Sequence, residues 1–239
     1  MWAYSWRTTV KSAKGGSIFY GYYLLLYVKK KEGYLNIDKK KLIQYISECA
    51  KLYKDNLQNK NIMFVYYTGK KIDYIETKFT ASNFLHLTGL KLLNKKITAG
   101  NFINQILAHR ISKKDITEKE DGTTKLKLQV LHRLMNIHKN AKLIGDYNNN
   151  RIYLFSQKII GDTYSCMGII QKNNYFICNT VLKEDIRKLI VNQKKIICIL
   201  TKNIPDLKYK KITYINEKYK DKIFEHEEIK QKINSDLLE

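Results

Sequence analysis

The string Asn83-Phe84-Leu85-His86-Leu87-Thr88-Gly89-Leu90-Lys91 holds the residues best suited to chemistry. An imidazole ionises near neutrality, so His86 suits either giving or taking a proton. Read as extended backbone, residues two apart project to one side; this sets His86 beside the Thr88 hydroxyl and leaves Leu85 and Leu87 on the other. Gly89 then permits a turn or the close approach of a ligand. By spacing alone, a histidine among apolar residues is more often a satisfied structural group than a catalyst.

A second string runs Tyr175-Phe176-Ile177-Cys178-Asn179-Thr180-Val181-Leu182-Lys183-Glu184-Asp185-Ile186-Arg187. Its pattern predicts a strand, then a helix from Val181 to about Val191, capped by Asn179 or Thr180, with Glu184 and Asp185 in the first turn where the helix dipole favours acids. The backbone N–H groups at such a helix start, with Lys183 nearby, could hold a phosphate. The plain cap is the simpler reading of the same residues.

The elements that must position these groups follow from periodicity. Asp38 can cap a helix whose apolar residues Leu42, Ile43, Ile46, Cys49, Ala50 and Tyr53 recur at helical spacing. Ile62 to Tyr67 and Ile72 to Phe79 read as a hairpin closed by Thr68-Gly69-Lys70. Thr98 caps a further helix carrying Phe102, Ile103, Ile106 and Leu107, and Lys125 to Lys139 shows the stripe Leu126, Val130, Leu131, Leu134, Ile137. Short β-rich runs follow at 151–155, 164–171, 175–178 and 195–201, with Asn148-Asn149-Asn150 and Asn173-Asn174 as hairpin tips. Tyr209 to Tyr214 adds a last strand. Helices first and an antiparallel sheet afterwards predict an α+β fold with Leu42, Ile46, Val130, Leu134, Ile169 and Ile199 in its core.

The chain has 239 residues, enough for one core of ordinary size, and 44% hydrophobic with 28% charged residues, which excludes disordered and fibrous classes. Its net charge of +22 predicts a polyanionic partner, although an AT-rich genome also writes Lys, Asn, Ile and Tyr freely. Cys49, Cys166, Cys178 and Cys198 have neither metal-ligand spacing nor a disulfide framework; apolar neighbours predict buried packing in a reducing cytoplasm. Residues 17–28 are apolar between basic flanks, yet they carry tyrosines and fall short of a spanning helix, so an edge strand or an extension is expected and no stable membrane association. The organisation predicted is an extension over 1–37, one domain over 38–216 and a charged helical tail over 217–239.

The two strings, with Gly161-Asp162-Thr163-Tyr164-Ser165-Cys166-Met167-Gly168 between them and a strand ending Leu200-Thr201-Lys202 after, resemble the phage-associated Barnase–EndoU–colicin–RelE-like nucleases, in their fourth phage group. The resemblance spans roughly residues 38–216. It implies N-terminal helices packed on a four-stranded or larger antiparallel sheet, and an RNA-cleaving activity of toxin or phage-conflict type.

RNA carries its own nucleophile: a base takes the 2′-OH proton, the oxygen attacks phosphorus, and an acid protonates the departing 5′-oxygen. No metal or other cofactor is needed for that route. On this reading His86 is the general acid or base, Thr88 and Thr180 orient the phosphate, and Lys183 with Lys202, singled out by their place in the family strings, stabilise charge. Asn179, Arg187, Lys91 and Arg133 are the further RNA contacts. His109, His132 and His138 could line a groove but sit where structural roles are commoner, and Tyr147, Tyr153, Tyr164 and Tyr175 could stack on bases. The expected partners are RNA, such as tRNA or mRNA, and a protein inhibitor or antitoxin. The alternative is a nucleic-acid-binding regulator of the same fold without turnover.

Overall fold

Seven strands of one sheet close on themselves. A computed structural model describes residues 39–150 and 154–237. The helix α1 (Lys39–Asn56) leads into the hairpin β1 (Lys60–Tyr67) and β2 (Ile72–Phe79). A helical block follows, α2 (Ala81–Thr88), α3 (Ala99–Leu107), α4 (Thr123–Leu134) and the single turn α5 (Ile137–Asn140), with the two-residue strands β3 (Lys91–Leu92) and β4 (Ile116–Thr117) paired within it. Then come β5 (Leu143–Tyr147), β6 (Lys158–Gly161), β7 (Cys166–Lys172), β8 (Tyr175–Leu182), β9 (Ile190–Asn203) and β10 (Lys211–Ile215), and finally α6 (Lys220–Glu225) and α7 (Glu227–Lys232).

The strand order is β1-β2-β8-β7-β6-β5-β9, and β9 also pairs with β1, so the ring is a closed barrel with β10 added beside β9. This overturns the expected α+β arrangement of helices resting on an open antiparallel sheet. The reason lies in the stretch read as a helix from Val181. It does not form: β8 continues to Leu182, a single 3-10 turn occupies Ile186–Lys188, and β9 begins at Ile190. The early part of the 14-residue β9 therefore pairs with β5 and the later part with β1, which joins the two sheet halves. One seam is parallel and brief, Thr77 opposite Phe176 and Lys78 opposite Ile177. Bulges at Val65/Tyr66, Ile144/Asp146 and Gly168/Ile169 supply the bending that closure demands.

The barrel walls are apolar on both sides. Ile62, Phe64, Ile169, Ile196 and Ile199 face α1 to α4, and Met63, Val65, Ile197, Cys198 and Leu200 face the C-terminal segment through Tyr209, Ile223, Ile229 and Ile233. Fastening that segment, the Tyr209 hydroxyl donates to Glu76 at 2.8 Å and Lys232 pairs with the same carboxylate at 3.0 Å. All six residues expected in the core are buried, as are the four cysteines. Leu126 departs from its predicted stripe and is exposed. The hairpin and the Thr98-capped helix form as read, with Thr98 accepting from the Asn101 N–H. The strand expected at 151–155 does not continue into 154–155, and Asp38, Tyr153 and residues 17–28 lie outside the described residues. No helix among the described residues is long and apolar enough to cross a membrane.

Candidate active site at the open edge of β8

Past Ile177, strand β8 loses its β2 partner, and α2 takes that place. A bare strand edge exposes carbonyl groups that need donors. Asn83 Nδ2 donates to the Cys178 carbonyl at 3.5 Å, and the His86 ring lies beside the Asn179 backbone. The segment is helical and not extended as expected: Thr80 and Asn83 form a capping pair, with Asn83 Oδ1 accepting from the Thr80 N–H at 2.8 Å, and Phe84, Leu87 and Thr88 are the buried face. Two residues apart on a helix point in different directions. His86 faces outward while Thr88 is sealed, its hydroxyl donating to the Leu85 carbonyl at 2.7 Å and accepting from the Leu90 N–H at 3.1 Å. Thr88 is therefore not available to a phosphate.

Lys127 of α4 completes the centre. Its ammonium donates to the His86 carbonyl oxygen at 3.3 Å, although its side chain is buried. Its stem crosses directly beneath Gly89, where a Cβ would meet Lys127 Cδ at 2.9 Å and the Thr124 Cα at 3.2 Å. Gly89 also has φ +72°, a left-handed conformation that suits only glycine well. The buried Thr124 hydroxyl donates to the Gly89 carbonyl at 2.6 Å and accepts from the Lys119 N–H at 2.9 Å, tying the 113–122 loop to the end of α2.

These contacts set the electrostatics. His86 is exposed in area, yet enough protein surrounds its ring to hold its pKa below the usual value, chiefly by desolvation, then by the charges of Lys127 and Lys119; the Asn179 backbone opposes the shift. The shift favours the unprotonated ring. A neutral imidazole carries one donating nitrogen and one accepting nitrogen. Desolvation, followed by Lys119, also lowers the Lys127 pKa. A neutral base beside two cations is the arrangement that phosphoryl chemistry uses.

The bulge in β8 shapes the neighbouring surface. Gly168 lies opposite Thr180, and a Cβ there would fall 2.2 Å from Ser156 Oγ and 2.8 Å from Thr180 Cγ2. Its absence lets Ser156 donate to Asn179 Oδ1 at 3.1 Å while Asn179 Nδ2 donates to the Phe155 carbonyl, holding the exposed Phe155 ring nearby. Thr180 is thus a strand residue and not a helix cap, and no helix start offers N–H groups to a phosphate there; Asp185 instead accepts from the Arg187 N–H. Lys183 does reach this side, donating to Gln129 of α4 at 2.6 Å.

The remaining expected residues scatter. Lys202 lies on the wall that faces the C-terminal segment, donating to the Leu207 carbonyl at 2.9 Å with its ammonium 4.9 Å from the Tyr209 ring, so it does not join His86. Arg133 is paired with Asp162, whose other oxygen accepts from the Tyr164 and Ser165 N–H groups; this is the work of a turn. Arg187 folds back on Asp185, and Lys91 is exposed on β3. Tyr147 is buried, Tyr164 is exposed with Arg133 5.8 Å from its ring, and Tyr175 carries Lys78 at 3.4 Å. Sequence reasoning passed over Lys127, Lys119 and Asn83. The pair Thr80 and Asn83, three apart before Phe84 and Leu87, was the available signal for a helix.

No curated protein and no solved structure matches the chain. Residues 45–218 match the family described as phage-Barnase-EndoU-ColicinE5/D-RelE like nuclease 4, a span that takes in His86, Lys127, Asn179 and every strand of the barrel. The chain belongs to that phage-associated nuclease family.

Proposed function

We propose that the protein is an endoribonuclease that cleaves RNA by attack of its own 2′-hydroxyl, with His86 as general base. The observation that carries this reading is the exposed His86 imidazole at the edge of β8, with the Lys127 ammonium bonded to the carbonyl of the same residue and Lys119 near enough to act on its charge. The accepting ring nitrogen takes the 2′-OH proton, the oxygen attacks phosphorus, the bond to the 5′-oxygen breaks, and that oxygen takes a proton from solvent. Lys127 and Lys119 offset the charge gathering on the phosphoryl oxygens, while Thr180 and Lys183 orient the phosphate from the β8 side. The 2′-hydroxyl route makes RNA, and not DNA, the substrate. Within a phage-associated family this supports a toxin or conflict role, with an antitoxin as its protein partner.

The test is incubation of the purified protein with end-labelled RNA and with DNA of the same sequence, in EDTA. Products ending in 2′,3′-cyclic phosphate from RNA alone, lost in His86→Ala, support the reading. Tight binding with the RNA intact identifies a binding protein of the same family.

A further inference from the structure

Three lysines gather around a buried histidine on another wall of the barrel. His138 of α5 is 8% exposed, and its Nδ1 is sealed from solvent with no hydrogen-bond partner among the described residues. The α5 turn is held against β10 by the Thr213 hydroxyl, which donates to the His138 carbonyl. Lys60 and Lys211 flank β9 on its two sides, Lys60 opposite Asn203 and Lys211 opposite Thr201, two residues apart on one face. That face is the one turned to α5: Ile62, two residues from Lys60, packs with the helices, and Ile212, next to Lys211, packs on the opposite side. Lys139 follows His138 on the same turn.

Such a grouping costs the fold something. Desolvation and then Lys211 lower the Lys60 pKa, and the charges of Lys139, Lys60 and Lys211 all bear on His138. Lys60 also donates to the Asp55 carbonyl at the end of α1, a helix-capping role that accounts for one cation but not for the others. Like charges brought together at a partly desolvated place are relieved by a bound anion, and a nucleic-acid backbone supplies anions at regular spacing.

We propose that Lys139, Lys60 and Lys211, gathered around the buried His138, form a phosphate-binding site for the backbone of the nucleic-acid substrate, separate from the site at His86. It rests on the reading of the chain as a protein that acts on nucleic acid. The site holds a stretch of the strand away from the scissile bond and contributes to affinity more than to chemistry.

The test is the salt dependence of binding to a short fluorescent single-stranded RNA in EDTA. The Lys60→Gln/Lys211→Gln double variant is expected to show a slope of log K against log salt shallower than wild type by about 1.4, and Lys139→Gln by about 0.7, given the ~0.7 per phosphate contact typical of single strands. Lys70→Gln, in the exposed β1–β2 turn, is expected to leave the slope unchanged. Unaltered slopes in the site variants overturn the proposal, and so does an equal fall in Lys70→Gln. A parallel arm melts the proteins with and without inorganic pyrophosphate at constant ionic strength. Wild type should gain melting temperature and the double variant should not. If wild type fails to bind RNA yet keeps this response, the phosphate site stands and the nucleic-acid reading falls. If both responses are absent, the site itself is overturned. Melting without pyrophosphate checks that the double variant folds, and Lys139→Gln, changed at an exposed side chain, decides the matter if it does not.

Discussion

The ammonium of Lys127 lies 3.3 Å from the carbonyl oxygen of His86, a residue 41 positions earlier in the chain, and this contact joins α4 to the end of α2. It completes a helix C-terminus with a positive charge, and it also holds that charge beside an imidazole. Both consequences can be measured separately.

Replacing His86 by alanine should reduce RNA cleavage by about 10²-fold or more, the usual worth of a positioned proton-transfer group, while changing thermal stability little because the side chain is exposed. The pH profile gives an independent check. A base works in its unprotonated form, and the lowered pKa keeps His86 unprotonated further into acid. The acid limb of kcat/KM should therefore have its midpoint below 6.5; a limb at or above 6.5 would remove His86 from the role.

Lys127→Met should raise the pKa of His86, because one of the cations that lowers it is gone. Titration of the His86 ring by NMR reads this directly, and the acid limb of the rate should move upward with it. A loss of rate without that displacement would mean that Lys127 acts only through packing. Lys127→Arg should restore most of the effect.

Gly89→Ala places a methyl group against the Lys127 stem and asks alanine to adopt φ +72°. The left-handed conformation alone costs about 1–2 kcal/mol. The expected result is a lower melting temperature together with a changed His86 titration, since Lys127 must shift. Stability lost with the His86 titration unchanged would separate the turn from the site.

His138 has its pKa lowered to about 4, first by burial and then by Lys139, Lys60 and Lys211. Between pH 6.5 and about 4 the unfolded chain binds a proton at this position that the folded chain refuses. Stability is therefore full above 6.5 and falls through that window, by on the order of 3 kcal/mol. The carboxylates with lowered values, Asp115, Asp121, Asp146, Asp185 and Asp206, add their losses only below the ordinary carboxylate range. Denaturant titrations of wild type and His138→Gln across pH 4–7 should show a flatter profile in the variant.

The sequence by itself determined what depends on neighbours along the chain. The stripe through Leu42, Ile46 and Tyr53 requires a helix in whatever fold contains it, and the β1–β2 hairpin follows from two apolar runs around Thr68-Gly69-Lys70. The family strings placed the chain among phage-associated nucleases for the same reason, since they are local patterns. Where local signals conflicted, the fold decided. Thr180, Glu184 and Asp185 satisfy the rules for a helix start, yet Val181, Ile186, Leu189 and Ile190 gain more by burial in a wall of the barrel, so the segment becomes strand and 3-10 turn. Barrel closure arises from that choice, because only a long β9 reaches both β5 and β1. The grouping of His86 with Lys127 and the Asn179 backbone has no sequence signature at all. It exists because α2 covers an unpaired strand edge, and the need to satisfy buried backbone groups arises only once the chain is packed.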